Sequence, residues 1–271
     1  MLIATQAMFG CSLENGEETV GTVKDLFFDG QTWIVRYLVV DTGSWLSGRR
    51  VLMPPDVVEQ KDWPNRRLWV PLTKEQAEKC PPVETHLPVS RRKEAEQVQY
   101  LVWNPAGVIA VAPVATASGR SDDGAQSDRD LRSAKELTGV TILTGYQVEA
   151  IDGHFGHVAG LIVDDEAGEA GTWEIRYLLV DTQKWLPGKK VLVASRWTES
   201  IDWETQVVRV GLSRETIKNS PEYDAEAPVN RRYEEILYDY YGQPKYWAGH
   251  GRTTSDVAGE RPSPGNSPES S

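Results

Sequence analysis

Two aspartates stand where this sequence could do acid–base chemistry. Asp41 in "YLVVDTGSWLSGRRVL" and Asp181 in "YLLVDTQKWLPGKKVL" each end an apolar run and precede a threonine. Two carboxylates held about 3 Å apart share one proton, and such a pair can activate water for peptide hydrolysis. That chemistry needs the backbone to turn tightly beside each carboxylate. Asp41 has Gly43 for the purpose, but the second stretch has Gln183 and Lys184 instead. The residues both stretches keep lie downstream: Trp45 and Trp185, Leu46 and Leu186, Gly48 and Gly188. The spacing therefore predicts a structural corner, made by Asp41, Thr42, Trp45 and Gly48 and again by Asp181, Thr182, Trp185 and Gly188. Each carboxylate would accept backbone N–H groups of the following turn, and each glycine would take a positive φ. No catalytic residue is expected. A hydrolase using Asp41 and Asp181 is the distant alternative.

Other constellations are weaker. His154 and His157 in "GHFGH" have ligand-like spacing but no third His or Cys nearby, so they read as solvated turn residues. Cys11 and Cys80 show no CxxC spacing, and neither a metal nor a cofactor is expected. Arg91-Arg92 and Arg231-Arg232 recur after Pro-Val, as residues that grip an acidic partner or lay their stems on a neighbouring surface. In "NRRYEEILYDYY" the set Tyr233, Ile236, Leu237, Tyr240 and Tyr241 falls at helical spacing behind an Asn230 cap. The corresponding "KEAEQVQYL", ending near Tyr100, is more polar. Arg91, Arg92, Tyr100, Arg231, Arg232, Tyr233, Ile236, Leu237 and Tyr240 form the expected interaction surface, with a homodimer through the C-terminal arm as one use of it.

The elements that must position these residues are written twice. Trp33/Trp173, Arg36/Arg176, Tyr37/Tyr177, Val40/Val180, Trp45/Trp185 and Leu52/Leu192 are identical pairs 140 positions apart. That register runs on through Trp63/Trp203 to "PVSRRKE" and "PVNRRYE". Trp173, Ile175, Tyr177 and Leu179 alternate with Glu174 and Arg176, which predicts a strand. "HVAGLIVDD" and "TVKDLFFDG" precede it as hairpin partners. Thr73 with Gln76 makes a capping box for a short helix, and Ser213 is the matching cap. Short strands at this spacing suggest a small closed or nearly closed barrel in each copy. The fold expected is mainly β: two small barrels in tandem, each with a short C-terminal helix or arm crossing toward the other, joined by a flexible linker. The divisions are a first barrel at 2–84, its arm at 85–110, a linker at 111–133, a second barrel at 134–225, a helical arm at 226–247 and a disordered tail at 248–271. Among the ten tryptophans, Trp69, Trp103, Trp197 and Trp247 have no counterpart and are expected at surfaces or interfaces.

Bulk properties limit the function classes. The net charge of -11 over 271 residues and a pI near 5.0 argue against a phosphate-binding surface, so no nucleic-acid partner is expected. No apolar run of about 18 residues occurs, so no direct membrane insertion is expected, and the sparse cysteines suit a reduced cytoplasmic setting.

"DGHFGHVAGLIVDD", degraded in the first copy to "NGEETVGTVKDLFFD", is followed by the Asp-Thr-x-x-Trp-Leu corner and by "SPEY". Together they resemble the PRC-barrel, the β-barrel domain of the photosynthetic reaction-centre H subunit and of the C-terminal half of the ribosome maturation factor. The resemblance covers roughly residues 2–84 and 134–225 and is strongest over Gly156 to Tyr223. The "YYGQPKYW" end is similar to the tail of bacterial proteins with paired PRC-barrels. It implies a non-catalytic protein-binding or scaffolding module with an unidentified protein partner, such as a membrane complex. An auxiliary of photosynthetic reaction-centre assembly or electron transfer is the alternative.

Overall fold

In the computed structural model, residues 1–16, 18–83, 137–167, 172–182 and 189–247 are described, together with the backbone of a short ribbon at 100–102 and 110–112. The first half opens with strand β1 (Leu2–Ala4) and one helical turn, α1 (Thr5–Met8). There follow β2 (Ser12–Asn15), β3 (Glu18–Asp29), β4 (Ile34–Asp41), β5 (Arg50–Met53), β6 (Gln60–Asp62), β7 (Arg67–Trp69) and helix α2 (Lys74–Glu78). The ribbon pairs β8 (Tyr100–Val102) with β9 (Ala110–Ala112). The second half repeats the order: β10 (Leu137–Gly139), α3 (Val140–Leu143), β11 (Gln147–Ala150), β12 (Gly153–Asp164), β13 (Trp173–Asp181), β14 (Lys190–Ala194), β15 (Thr198–Asp202), β16 (Val207–Val210) and α4 (Arg214–Lys218). Helix α5 (Arg231–Tyr241) closes it.

Local chemistry accounts for the elements. In β13, Trp173, Ile175 and Tyr177 are buried while Glu174 and Arg176 are half-exposed, and from Tyr177 onward every residue is buried. That is the alternation of a strand with one wet face running into a core. The Thr73–Gln76 capping box is present in both directions, and Ser213 and Asn230 accept from the backbone N–H three residues on. His154 and His157 lie inside β12 rather than on a turn, opposite Glu149 and Gln147 of β11. No group of three metal-ligating side chains occurs among the described residues.

The strands do not close into two barrels. Hydrogen bonding runs through one 14-stranded sheet in the order β15-β16-β11-β12-β13-β4-β3-β2-β7-β6. Replacing each second-half strand by its first-half equivalent turns this into a palindrome about the β13–β4 contact, where Trp173 pairs with Val35 and Glu174 with Ile34. A pseudo-twofold axis therefore passes between the halves. Each half also gives its first strand to the other: β1 lies on β12, with Leu2 opposite Asp164, and β10 lies on β3, with Leu137 opposite Asp29. Each half spends these hydrogen bonds on its partner rather than on its own closure. What crosses between halves among the described residues is thus the N-terminal strand of each; of the C-terminal arms expected to cross, the second meets the first half at the Leu2–Val229 bridge and most of the first lies outside the described residues.

One apolar core spans both halves and holds Leu26, Phe28, Leu38, Phe155, Leu161, Trp173 and Leu178. Burying a side chain of this kind contributes about 1.5–3 kcal/mol. A smaller cluster of Phe27, Val39 and Leu52, flanked by Tyr37 and Val83, sits on the first half alone. At the junction Trp63 donates its indole N–H to the Asp165 carboxylate at 2.9 Å and meets Trp173 edge-on, while Lys61 pairs with Asp165 at 3.2 Å. Among the described residues, no helix is long and apolar enough to cross a membrane.

Candidate functional site

The first corner is built where β4 runs out. The Gly43 N–H donates to the Asp41 carboxylate at 2.9 Å, closing a turn of the kind aspartates cap. Thr42 is buried and clamps the return strand, its hydroxyl donating to the Arg49 carbonyl at 2.7 Å and its N–H to the same oxygen at 3.1 Å. A single 3-10 turn, Gly43–Leu46, brings Trp45 back so that its indole N–H reaches the Val20 carbonyl at 2.9 Å. Gly48 has φ +71°. The second corner repeats the clamp: Asp181 is buried, and Thr182 donates from hydroxyl and N–H to the Lys189 carbonyl at 2.9 and 3.2 Å. Trp185 and Gly188 lie outside the described residues.

A glycine underlies each corner. A Cβ at Gly21 would stand 2.8 Å from the Asp41 carbonyl oxygen, and one at Gly156 would collide with the Asp181 carbonyl oxygen. These are the equivalent positions of β3 and β12, so the glycine lets the aspartate's own backbone pack against that strand. The two carboxylates are not brought together. β4 and β13 pair antiparallel at their first residues and run apart, so Asp41 and Asp181 end opposite ends of the pair. A shared-proton dyad is not formed. Replacing Asp41 by Ala should remove one turn-capping hydrogen bond and lower stability by about 1 kcal/mol, measured by urea unfolding.

The C-terminal arm supplies a denser constellation. Glu234 of α5 is buried. Tyr177 of β13 donates its hydroxyl to Glu234 at 2.6 Å, Tyr246 donates at 2.9 Å, and the Arg231 guanidinium pairs with the other carboxylate oxygen at 2.9 Å. The Tyr246 ring is flanked by the guanidinium groups of Arg176 at 4.2 Å, Arg196 at 5.2 Å and Arg231 at 5.5 Å, and Arg231 also lies 4.3 Å from the Trp247 ring. Gly242, at φ +62°, ends α5 with a left-handed turn that folds Tyr246 and Trp247 back onto Tyr238. Tyr233, Tyr240 and Tyr241 donate to carbonyls of Glu222, Thr216 and Leu192. These contacts are to the second half, and just ahead of the helix Val229 also bridges Leu2 of the exchanged strand β1, so the arm is docked mainly on its own half.

The buried face of α5 differs from the expected one. Leu237 and Tyr241 of the expected set are buried, but the rest of that face is Glu234 and Tyr238. Ile236 and Tyr240 are 51% and 39% exposed, Arg231 and Arg232 are exposed, and Tyr233 is half-buried. The helix is rotated because its buried carboxylate is satisfied by two phenols and a guanidinium. Trp197, without a counterpart in the first copy, is buried against Tyr238 and Tyr241 at 5.3 and 4.6 Å between ring centroids. Glu234, Tyr246 and Arg196 were not singled out from sequence, and Arg176 and Tyr177 were named only as members of the repeat; the available signal for the cluster was the aromatic "YYGQPKYW" end. Arg91 and Arg92 lie outside the described residues, and Tyr100 falls in the ribbon of β8 and β9, whose side chains are likewise outside them.

Burial, and then the Glu234 charge, push the Tyr177 phenol far above its ordinary range; the same two causes push Tyr246 up to about 12 from 10.0. The folded arm therefore holds these protons more tightly than the free chain does. Stability from the arm should be complete below pH 10 and fall as the pH rises toward 12 and beyond. A spectrophotometric tyrosinate titration should show this subset ionising late and together with release of the arm.

Compared with curated proteins, the chain finds no match. The paired Gly-Asp-Thr corners, the short strands and the exchanged first strands are the frame in which a family match must sit. That match is to the first half: residues 8–77 are a PRC-barrel domain.

Proposed function

We propose that this chain is a non-catalytic protein-binding or scaffolding module built from two PRC-type units paired about a pseudo-twofold axis, the second at residues 134–225. The observation that carries this reading is the palindromic strand order, which sets Asp41 and Asp181 apart while the threonine of each corner makes the same clamp. The 140-residue sequence repeat and the PRC-barrel domain at 8–77 support it. The polar clusters are occupied by the protein's own groups: the Asp41 carboxylate binds its turn, and Glu234 binds two phenols and a guanidinium. The outer edge of α5, with Arg232, Ile236 and Tyr240, is the surface offered to a protein partner.

The reading is tested by affinity capture from native host extract, with and without the membrane fraction, comparing the wild type with Ile236→Glu. A stoichiometric partner that co-elutes in size exclusion and is lost in the variant supports it. A partner found only with the membranes would specify a membrane complex, as in the photosynthetic-auxiliary alternative. Peptidase activity of the purified chain that disappears in Asp41→Asn and Asp181→Asn would overturn it in favour of a hydrolase.

A further inference from the structure

The two exchanged strands make contacts that are equivalent in place and different in chemistry. The sheet registers set Ala4, Thr5 and Gln6 equivalent to Gly139, Val140 and Thr141, and Asp25 equivalent to Gly160. Both long strands carry a register shift just before this position, between Val23 and Asp25 in β3 and between Val158 and Gly160 in β12. Such a shift interrupts the ladder and leaves backbone groups in need of other partners.

At one junction Asp25 supplies the partner. Its buried carboxylate accepts from the Leu26 N–H at 2.8 Å and the Thr141 N–H at 3.1 Å, and the Thr141 hydroxyl donates to its second oxygen. At the other junction there is no carboxylate. The Leu161 N–H, equivalent to that of Leu26, donates to the Thr5 hydroxyl at 3.2 Å, and Gln6 reaches across Gly160 to donate to the Ala159 carbonyl at 2.8 Å. Each arrangement excludes the other's residues. A Cβ at Gly139 would collide with the Asp25 carboxylate, and one at Gly160 would collide with the Gln6 amide.

We infer that these eight positions form a pairing code by which each half accepts the other and rejects a copy of itself. If a first half met another first half, Asp25 would face the methyl of Ala4 and the long Gln6 side chain where it now faces Gly139 and Thr141. If a second half met another second half, Gly160 would face Thr141, too short to reach across it. Val140 would then stand in place of Thr5, and the buried Leu161 N–H would lose its acceptor. The partner each junction fits is the opposite half of this chain. The inference concerns how the halves recognise one another and stands independently of what the protein binds.

The full-length chain can be made to imitate a like-with-like junction. Gly139→Ala/Thr141→Gln places the first half's own residues against Asp25, and Tm should fall by about 5–10 °C in thermal unfolding. Adding Asp25→Gly and Val140→Thr converts that junction into a copy of its partner, and at least half of the loss should return. At the other junction, Ala4→Gly/Thr5→Val/Gln6→Thr should likewise lower Tm, and adding Gly160→Asp should restore it. A like-with-like variant that does not fold, rescued to a folded protein by the added substitutions, is the same result in stronger form. Like-with-like variants as stable as the wild type, or added substitutions that deepen the loss at both junctions, would overturn the code.

Discussion

Glu234→Ala should release the C-terminal arm while leaving the rest of the sheet folded. The substitution strands the Tyr177 hydroxyl, buried in β13 with its 2.6 Å acceptor gone, and removes the partner of the Tyr246 hydroxyl and of Arg231. Leaving such groups without their charged partner costs about 3 kcal/mol. That is roughly a hundredfold in the closed-to-open ratio of the arm. Trypsin cleavage at Arg231 or Arg232 should accelerate by a similar factor when opening is fast compared with cutting. Tryptophan fluorescence should change as well, because Trp197 packs on Tyr238 and Tyr241 of the arm and Trp247 packs on Tyr238. Glu234→Gln keeps an acceptor for Tyr177 but gives up the charge, so its effect should be intermediate. An alanine variant that trypsin cuts at the wild-type rate would show that the aromatic contacts alone hold the arm.

Gly156→Ala should be the most damaging added methyl among the described glycines. Two independent effects add: φ is +70°, where a Cβ costs about 1–2 kcal/mol, and that Cβ would collide with the backbone carbonyl of Asp181, which has no flexible end to move aside. The sum is on the order of 4 kcal/mol, at the edge of what single substitutions do. Gly21→Ala in the first half meets the same contact with Asp41 without the strained φ, so about half that loss is expected. Denaturant unfolding of both variants measures the difference. The single sheet also makes a further expectation: the halves should unfold together, because β1, β10 and the β13–β4 contact tie them along three lines.

Much of the fold was legible because it is local. The period-two pattern of Trp173 to Leu179, the Thr73–Gln76 and Ser213 caps and the Asn230 cap each depend on residues within a few positions of one another. The repeat was legible because identical residues recur at an offset of 140, which drops to 135 upstream of the turn before Trp173. The crossing of the first strands was not, since "LIA" is too short to carry a period and its partner lies some 160 residues away. The open sheet follows from the same exchange, which no count of strands within one copy reveals. At the site, the Asp41 turn could be read because a carboxylate and its turn are neighbours; the turn after Asp181 lies outside the described residues. The docked arm was misjudged by one helical position because Glu234 counts as polar in any pattern. What makes it a buried residue, Tyr177 and Tyr246, comes from elsewhere in the chain. Trp197 was misplaced for a related reason: the Tyr238 and Tyr241 rings that bury it come from the arm, some 40 residues further along the chain.

The exchanged first strands set a clock on biogenesis. Leu2–Ala4 leaves the ribosome well before its hydrogen-bonding edge, Ile162–Asp164, which is translated some 160 residues later. At 5–20 residues per second that interval is roughly 8–30 s. For most of it the nascent first half has β3 short of the neighbour that Leu137–Gly139 will provide. Polysomes crowded with such chains would offer each waiting edge a choice of donors, and there a junction that tells one half from the other matters most.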